Sequence, residues 1–485
     1  MSITAALSNA VSGLTAASRT AEVVSGNVAN ALTDGYARRE IDLTARITGG
    51  QGAGVQVAGV TRIVDETLLR DRRLSGAELG GARTLKDFYD AVLKLAGQPD
   101  DPASLSGLAA GFESSLVEAA SRPDSDARLA AVLAAEQQLA GAFESASDQI
   151  QQLRVDADTS IAGAVRQLNG TLSEIADLNA LITRTDAVGS DTAGLLDRRQ
   201  TLIDQVSDLV PVRIMPRDNG AVALYSMTGA TLLDGKPAVL EFSRTEPITA
   251  DMTQGSGALS GLNVNGQPVA TAGENGPLSG GRLAALFAVR DEHAVTAQTD
   301  LDGLATDLIQ RFQDPALDPT LAAGDPGLFT DGGGPYDPLE TVGLAGRLSV
   351  NALADPARGG ALWRLRDGLG AAAPGPVGEG ALLQGYADAL AEARVPAAGN
   401  YGAARRTFHG LASDLTSRFG QALFDADNRV AFTEARYTGL RDAEQAKGVD
   451  TDQEMQKLLL VEQAYAANAR VIKTVDDLIQ TLIGI

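Results

Sequence analysis

The chain contains no cysteine. Disulfides, thiolate metal sites and cysteine nucleophiles are therefore excluded. Its 485 residues include two histidines, His293 and His409, with no HExxH-like spacing. A histidine-rich metal site cannot be built within one chain, and a Ser-His-Asp triad would have to use one of these two. They lie in "VRDEHAVTA" and "RTFHGLAS", both helical patterns, and read as partly exposed structural histidines. Aromatic residues make up 4%, while glycine and alanine are abundant. Such a chain forms long, thin helical packing more easily than one bulky core. An excess of basic charge is also missing, the formal net charge being −22. That balance argues against nucleic-acid or anionic-membrane partners, which need a basic surface. The arginine pairs Arg38-Arg39, Arg72-Arg73, Arg198-Arg199 and Arg405-Arg406 sit among acids and read as solvated mixed-charge faces.

No apolar run approaches the ~18 residues needed to span a bilayer. The N-terminal "MSITAALSNAVSGLTAAS" has no basic n-region, and serine and asparagine interrupt its apolar stretch, so it does not read as a Sec-type signal peptide. Chemistry-bearing motifs are missing too. "ITGGQGAGVQV" lacks both the G-x-x-x-x-G-K-[ST] and G-x-G-x-x-G patterns and reads as a turn between strands, and "DGGG" at 331–334 has no following lysine. There is no G-x-S-x-G elbow, and the acidic pairs Asp100-Asp101 and Asp476-Asp477 show no apolar pocket signature. No catalytic, metal or cofactor constellation is expected.

Proline is missing from both ends. None of the 18 prolines precedes Pro99 or follows Pro396, and nine fall between Pro315 and Pro396. Because proline breaks helix interiors, both ends read as helical and the irregular material as central. The N-terminal segment places Ile3, Leu7, Ala10, Leu14, Ala17, Ala21, Val24, Val28 and Ala31 at alternating spacings of 4 and 3, a heptad seam. The C-terminal segment does the same with Leu458, Val461, Tyr465, Asn468, Ile472, Val475, Ile479 and Leu482. Asn468 is the polar member, and a lone asparagine on a seam fixes register at some cost in stability. Each helix would run ~45 Å. The alanine-rich N-terminal seam buries little area by itself, at ~25 cal/mol per Å². The ends are therefore expected to pair with each other and with neighbouring copies.

Between them, "SIAGAVRQLNGTLSEIADLNALI" places Ile161, Val165, Leu168, Leu172, Ile175 and Ile182 on one helical stripe. After Pro211 the period shifts toward 2, with Asp218-Asn219-Gly220 placed as a hairpin turn. The fold class is mainly α with β-rich insertions (α+β), elongated and nested. The expected units are a terminal coiled coil (1–34 with 451–485), an extended or β linker (35–73) and a helical body (74–209, 283–314 and 401–450). A β-rich insertion (210–282) and a Gly/Pro-rich second insertion (315–400), with a short helix near Trp363, interrupt the body.

The ends also carry a resemblance. "SGLTAASRTAEVVSGNVANALTDGYARREIDL" resembles the N-terminal signature of bacterial flagellar axial proteins, the rod, hook and hook-associated group. Asn27, Val28, Ala29, Asn30, Thr33, Gly35 and Tyr36 match its core; Asp34 stands where proline is common, and Gly26 where the group has asparagine. Asp34-Gly35 can still turn, since glycine takes positive φ. "EMQKLLLVEQAYAANARVIKTVDDLIQTLIGI" is similar to the matching C-terminal signature. "GAGVQVAGVTRIVDETLLRDRR", "SEIADLNALI", "LLDRRQTLIDQVSDLV" and "GRLAALFAVRDE" resemble segments of the hook-associated members at the hook–filament junction.

The resemblance implies a non-enzymatic subunit that joins hook to filament and is needed for filament assembly and motility. It implies a ring of subunits, contacting hook protein below and the next hook-associated protein on the filament side. Terminal helices would line the channel and gain order from their neighbours. It also implies a cytoplasmic export chaperone on the C-terminal helix, and type III export to the outside of the cell without a cleaved signal. The assembly residues would be Ile3, Leu7, Leu14, Val24 and Val28 on one helix and the Leu458–Leu482 seam on the other. Asn27, Asn30, Asp34, Gly35 and Tyr36 would form the signature turn that sets the angle between terminal helix and body. The alternatives are a hook or distal-rod subunit, or a secreted adhesin or enzyme carried on the flagellum with its activity in 315–400.

Overall fold

Both chain ends are helical and lie side by side. The computed structural model describes residues 3–48, 51–97, 101–271, 273 and 276–483. Helix α1 (Ile3–Ala29) leads into an antiparallel hairpin, β1 (Arg39–Thr48) and β2 (Gln51–Arg62), with Arg39 opposite Arg62 and Thr48 opposite Gln51. The predicted glycine turn at Gly49-Gly50 lies outside the described residues. Helices α2 (Glu66–Ala96), α3 (Leu105–Ser121), α4 (Asp126–Ala187) and α5 (Ala193–Leu209) follow. Helix α2 begins earlier than residue 74, so the linker ends at 65. The reason is local: the Asp65 carboxylate accepts from the Thr67 and Leu68 amides and caps the helix.

Strands β3 (Val212–Pro216), β4 (Val222–Ser226), β5 (Thr231–Asp234) and β6 (Lys236–Pro237) form one antiparallel sheet in sequence order. The turn between β3 and β4 uses positive φ at Asn219 (55°) and Gly220 (74°). Strands β7 (Leu240–Glu241), β8 (Leu262–Val264) and β9 (Gln267–Val269) form a second. Helix α6 (Gly281–Ala288) continues through a π turn at Val289–His293 into α7 (Ala294–Phe312). Beyond it come β10 (Phe329–Asp331), β11 (Leu348–Val350), α8 (Arg364–Asp367) and α9 (Ala381–Ala391). The chain closes with α10 (Phe408–Ala446) and α11 (Thr451–Ile483). Helix was expected from about 401, but α10 starts at 408. Gly399 and Gly402 hold positive φ, and Thr407 caps the helix through the Gly410 amide.

Helix α4 is the spine. At 62 residues it spans ~93 Å and borders both large cores. Its first half packs Leu129, Val132, Phe143 and Ile150 with α3, α7, α9 and α10. Its second half packs Ile161, Val165, Leu168, Leu172 and Ile175 with α5, α6 and the β-rich sheets. Residues 315–400 are not peripheral to this body: Leu321, Phe329, Leu348, Leu365 and Tyr386 belong to the same core as Phe112 and Phe312. Phe112, Phe312 and Phe329 meet ring against ring at 5.5–5.9 Å between centroids.

Buried polar groups join the two halves at the waist. Arg290, placed by the π turn, and Asp158 of α4 are both fully buried and pair at 2.6 Å. The other Asp158 oxygen accepts from the Thr245 amide (2.9 Å), and Arg290 also donates to the Ser260 carbonyl (2.9 Å). Arg154, one turn earlier, donates to the carbonyls of Arg290, Thr249 and Met252. The 245–260 loop is thus fastened to the spine by guanidinium-to-carbonyl bonds. Of the arginine pairs read as solvated faces, Arg198 and Arg405 are exposed, whereas Arg72, Arg73 and Arg199 are structural. Arg72 and Arg73 converge on Asp204, and Arg199 is buried and donates to Asn179 Oδ1 and the Gly220 carbonyl. Burial lowers the Arg199 pKa to about 10. Ring nitrogen Nδ1 of His293 meets the Tyr89 hydroxyl at 3.0 Å, while His409 is exposed.

Breaking the waist pair strands a charge. Arg290→Met leaves Asp158 buried without its cation and should cost about 3–5 kcal/mol, read as a lowered midpoint in urea denaturation followed by circular dichroism. Arg217→Met, which breaks the exposed pair with Asp234, should leave the midpoint almost unchanged, because solvent screens the pair.

Candidate assembly site at the joined chain ends

Asn27 sits one turn from the end of α1 and is fully buried. Its Nδ2 donates to the Arg39 carbonyl and to Glu454 Oε2, both at 2.9 Å. Its Oδ1 accepts from the Tyr36 hydroxyl and the Arg39 amide, again both at 2.9 Å. An amide side chain has two donors and two acceptor lone pairs, and here every one is used. One residue therefore ties together α1, the turn after it, the first residue of β1 and the first turn of α11.

Glu454 is buried on α11 and would be costly there without partners. It has two: Asn27 on Oε2 and Lys457 Nζ on Oε1 at 2.9 Å, with Arg38 further off at 3.9 Å. A second hub lies on α5. Asp197 receives Arg39 Nη2 (2.9 Å), Arg62 Nε (2.6 Å) and the Ala37 amide (3.3 Å). The Arg39 guanidinium also lies 4.9 Å from the Tyr36 ring centre. Burial raises the Tyr36 hydroxyl, the Asp197 and Glu454 charges add to the rise and Arg39 opposes it. The phenol therefore stays a donor to Asn27.

Local sequence explains the turn. Asn30 ends α1 by donating its side-chain amide to the Gly26 carbonyl (2.9 Å) and accepting from the Thr33 hydroxyl. Asp34 is exposed. Gly35 has φ +80°, and a Cβ there would collide with Thr201 Oγ1. Positive φ and the close approach of α5 both demand glycine. The turn thus rests against the body.

From this latch, α1 and α11 run antiparallel, Asn27 against Glu454 at one end and Gly13 against Asn468 further along. A Cβ on residue 13 would lie 2.7 Å from both terminal atoms of Asn468, so the seam asparagine fits because its neighbour is glycine. Val24 and Val475 are buried; Ile3, Leu7, Leu14, Val28, Leu458, Val461, Asn468, Ile472 and Ile479 are partly buried. Tyr465 and Leu482 differ, with half or more of their surface exposed. The hairpin adds a third layer, Ser12 Oγ accepting from the Val55 amide at 3.2 Å. Away from α1, helix α11 exposes Met455, Leu459, Leu460, Val471 and Leu478, each at more than 40%.

The pattern reading missed Gly13, Glu454, Asp197 and Thr201. Glu454 had a signal: extending the seam one step back from Leu458 lands on it, a carboxylate on an apolar stripe. Gly13 had one too, as the sole glycine before Gly26 in an alanine-rich helix. Asp197 and Thr201 had none, being brought in from another element. Among the described residues no group of three or more acidic or histidine side chains could hold a metal ion, and no helix is long and apolar enough to cross a membrane.

Residues 99–316 match the family model described as the flagellar hook-associated protein FlgK helical domain. Residues 444–485 match the flagellar basal body rod FlgEFG protein C-terminal model. Flagellar hook-associated protein 1 of Bacillus subtilis (strain 168) is 25% identical over 522 residues, covering 99% of this chain and 97% of that protein. The protein of the same name from Salmonella typhimurium is 28% identical over 239 residues, which are 48% of this chain and 43% of the relative. A solved structure, the flagellar hook junction protein FlgK from Burkholderia pseudomallei, aligns with a TM-score of 0.43 at 20% identity, covering 54% of this chain and 46% of that one.

Asn27→Ala removes four bonds and leaves Glu454 buried with Lys457 alone. The expected loss is about 3 kcal/mol, concentrated at the joined ends. Hydrogen exchange should quicken in 3–29, 39–48 and 451–465 and stay unchanged in α4. Asn27→Asp, which removes both side-chain donors and sets a second carboxylate against Glu454, should quicken exchange in the same segments at neutral pH.

Proposed function

We propose that this chain, a relative of flagellar hook-associated protein 1, is a structural subunit of the bacterial flagellum that joins hook to filament. Its activity is the formation of interfaces rather than catalysis. The observation that carries this reading is the pairing of α1 with α11, latched to the body through Asn27, Glu454 and Asp197. The pair keeps one side of α11 against α1 and leaves an apolar stripe facing outward. Exposed stripes of this kind mark association surfaces, and an α-helical seam of 3.5-residue period suits packing against further helices. The α1–α11 pair would be the self-assembly element of a ring of subunits. The hook protein on one side and the next hook-associated protein on the other would meet the body.

Before assembly the stripe needs cover. A cytoplasmic export chaperone would supply it by taking the place of α1 on the seam from Leu458 to Leu482 and wrapping the outward residues Leu459, Leu460, Val471 and Leu478. Export would follow the flagellar type III route, with no cleaved signal. The rod-type match over 444–485 also suits a hook or distal-rod subunit, and tube length separates the readings. Long tubes assembled from this protein alone would favour the rod or hook role.

Electron microscopy of cells lacking the protein should show intact hooks without filaments, with filament subunit released to the medium; normal filaments would overturn the junction role. A chain lacking residues 452–485 should keep the helical signal of its body in circular dichroism yet fail to restore filaments in such cells.

A further inference from the structure

Glu136 lies on α4 within the larger core and is fully buried, and among the described residues neither carboxyl oxygen has a hydrogen-bond partner. Tyr386 on α9 is equally buried, with the Asp318 carboxylate beside its hydroxyl. The charged groups facing this place come from the segment that packs on α4. Arg358 and Asp355 stand on one short turn, and Asp318 lies near Tyr386. All are committed elsewhere. Arg358 donates to Asp355 (3.0 Å) and to the Val350 carbonyl. Asp355 also accepts from the Ala357 amide and Gln137. Asp318 accepts from the Thr320 and Leu369 amides.

Among the described residues no cation pairs with Glu136, and Arg358, the nearest one, spends Nε on Asp355 and Nη2 on the Val350 carbonyl. Burial holds its carboxyl well above the usual range, with Arg358 opposing and Asp355 adding. A neutral carboxylic acid in an apolar core costs far less than an unpaired carboxylate. We infer that Glu136 is a pH-sensitive breakpoint of the fold: the contact between α4 and the 315–400 segment stays packed while the carboxyl keeps its proton and loosens when that proton is lost to solvent. The inference stands apart from the junction role and holds for the free chain.

The sign follows from linkage. The folded state binds this proton more tightly than the unfolded chain, whose carboxyl titrates at about 4.3. The contribution of Glu136 is fully present below that value and is lost as pH rises toward the folded value. Trp363, the sole tryptophan, lies in the 315–400 segment and reports on the contact by its fluorescence.

The test is thermal unfolding of the full chain and of Glu136→Gln between pH 5 and pH 9. Relative to the parent, Glu136→Gln should gain Tm steadily as pH rises from 5 to 9, by roughly 2–4 °C or more over that range. A Tm difference that does not grow with pH overturns the inference. Hydrogen exchange of the unsubstituted chain gives a second measure, corrected for the intrinsic pH dependence of exchange. Protection should fall as pH rises in 129–143 and 381–391 and hold in α2. Unchanged protection, or an equal loss in α2, also overturns it.

Discussion

The four hydrogen bonds of Asn27 are the constraint on which the arrangement of this chain depends. They join pieces far apart in sequence, the ends of α1 and α11 and the start of β1. Two of them are to backbone, so they fix the path of the chain and not merely a side-chain contact. Neither a carboxylate nor a hydroxyl could replace the amide, since one has no donors and the other has a single proton. Around this hub Glu454 and Asp197 each gather basic partners. The α1–α11 seam itself is rich in alanine and pinched at Gly13. Polar contacts therefore orient the pair, and the modest apolar seam extends it.

A related solution recurs in the body. Aromatics are scarce, and among the largest fully buried side chains are three arginines, Arg154, Arg290 and Arg311. Each carries its guanidinium to at least one backbone carbonyl of another segment, and Arg290 also pairs with Asp158 and Asp291. Arg311 collects the carbonyls of Ala389, Glu392 and Arg406 while paired to Asp307 within its own helix. A guanidinium has five donors in a fixed fork, so one side chain can stitch several loops. This accounts for an irregular 315–400 segment that nevertheless shares the spine's core. Glu136 marks the place in that core where such satisfaction is incomplete.

Much of the architecture was legible in the sequence, because helices and hairpins follow from local periodicity and turn chemistry. The α4 stripe from Ile161 to Ile182 is buried along its length, and the Asp218–Gly220 turn joins two paired strands. The α10 start and the short linker were misplaced by a few residues, since caps such as Thr407 and Asp65 outweigh a broad apolar pattern. The arginine pairs were read as solvated because charge in sequence carries no depth. Arg73 and Arg199 are buried by elements more than a hundred and about twenty residues away in sequence, respectively.

By itself, the sequence determined that the ends are helices with heptad seams, that the middle is broken by proline, and that Asp34-Gly35 can make a turn. Only the tertiary structure decided what those features meet. Asn27 became a hub because Glu454, 427 residues away, arrives at its amide. Asn468 is accommodated because Gly13 leaves it room, and the turn at Gly35 is pressed against Thr201. Periodicity is set by bonds between near neighbours in the chain, whereas the satisfaction of a buried polar group depends on partners that folding alone delivers.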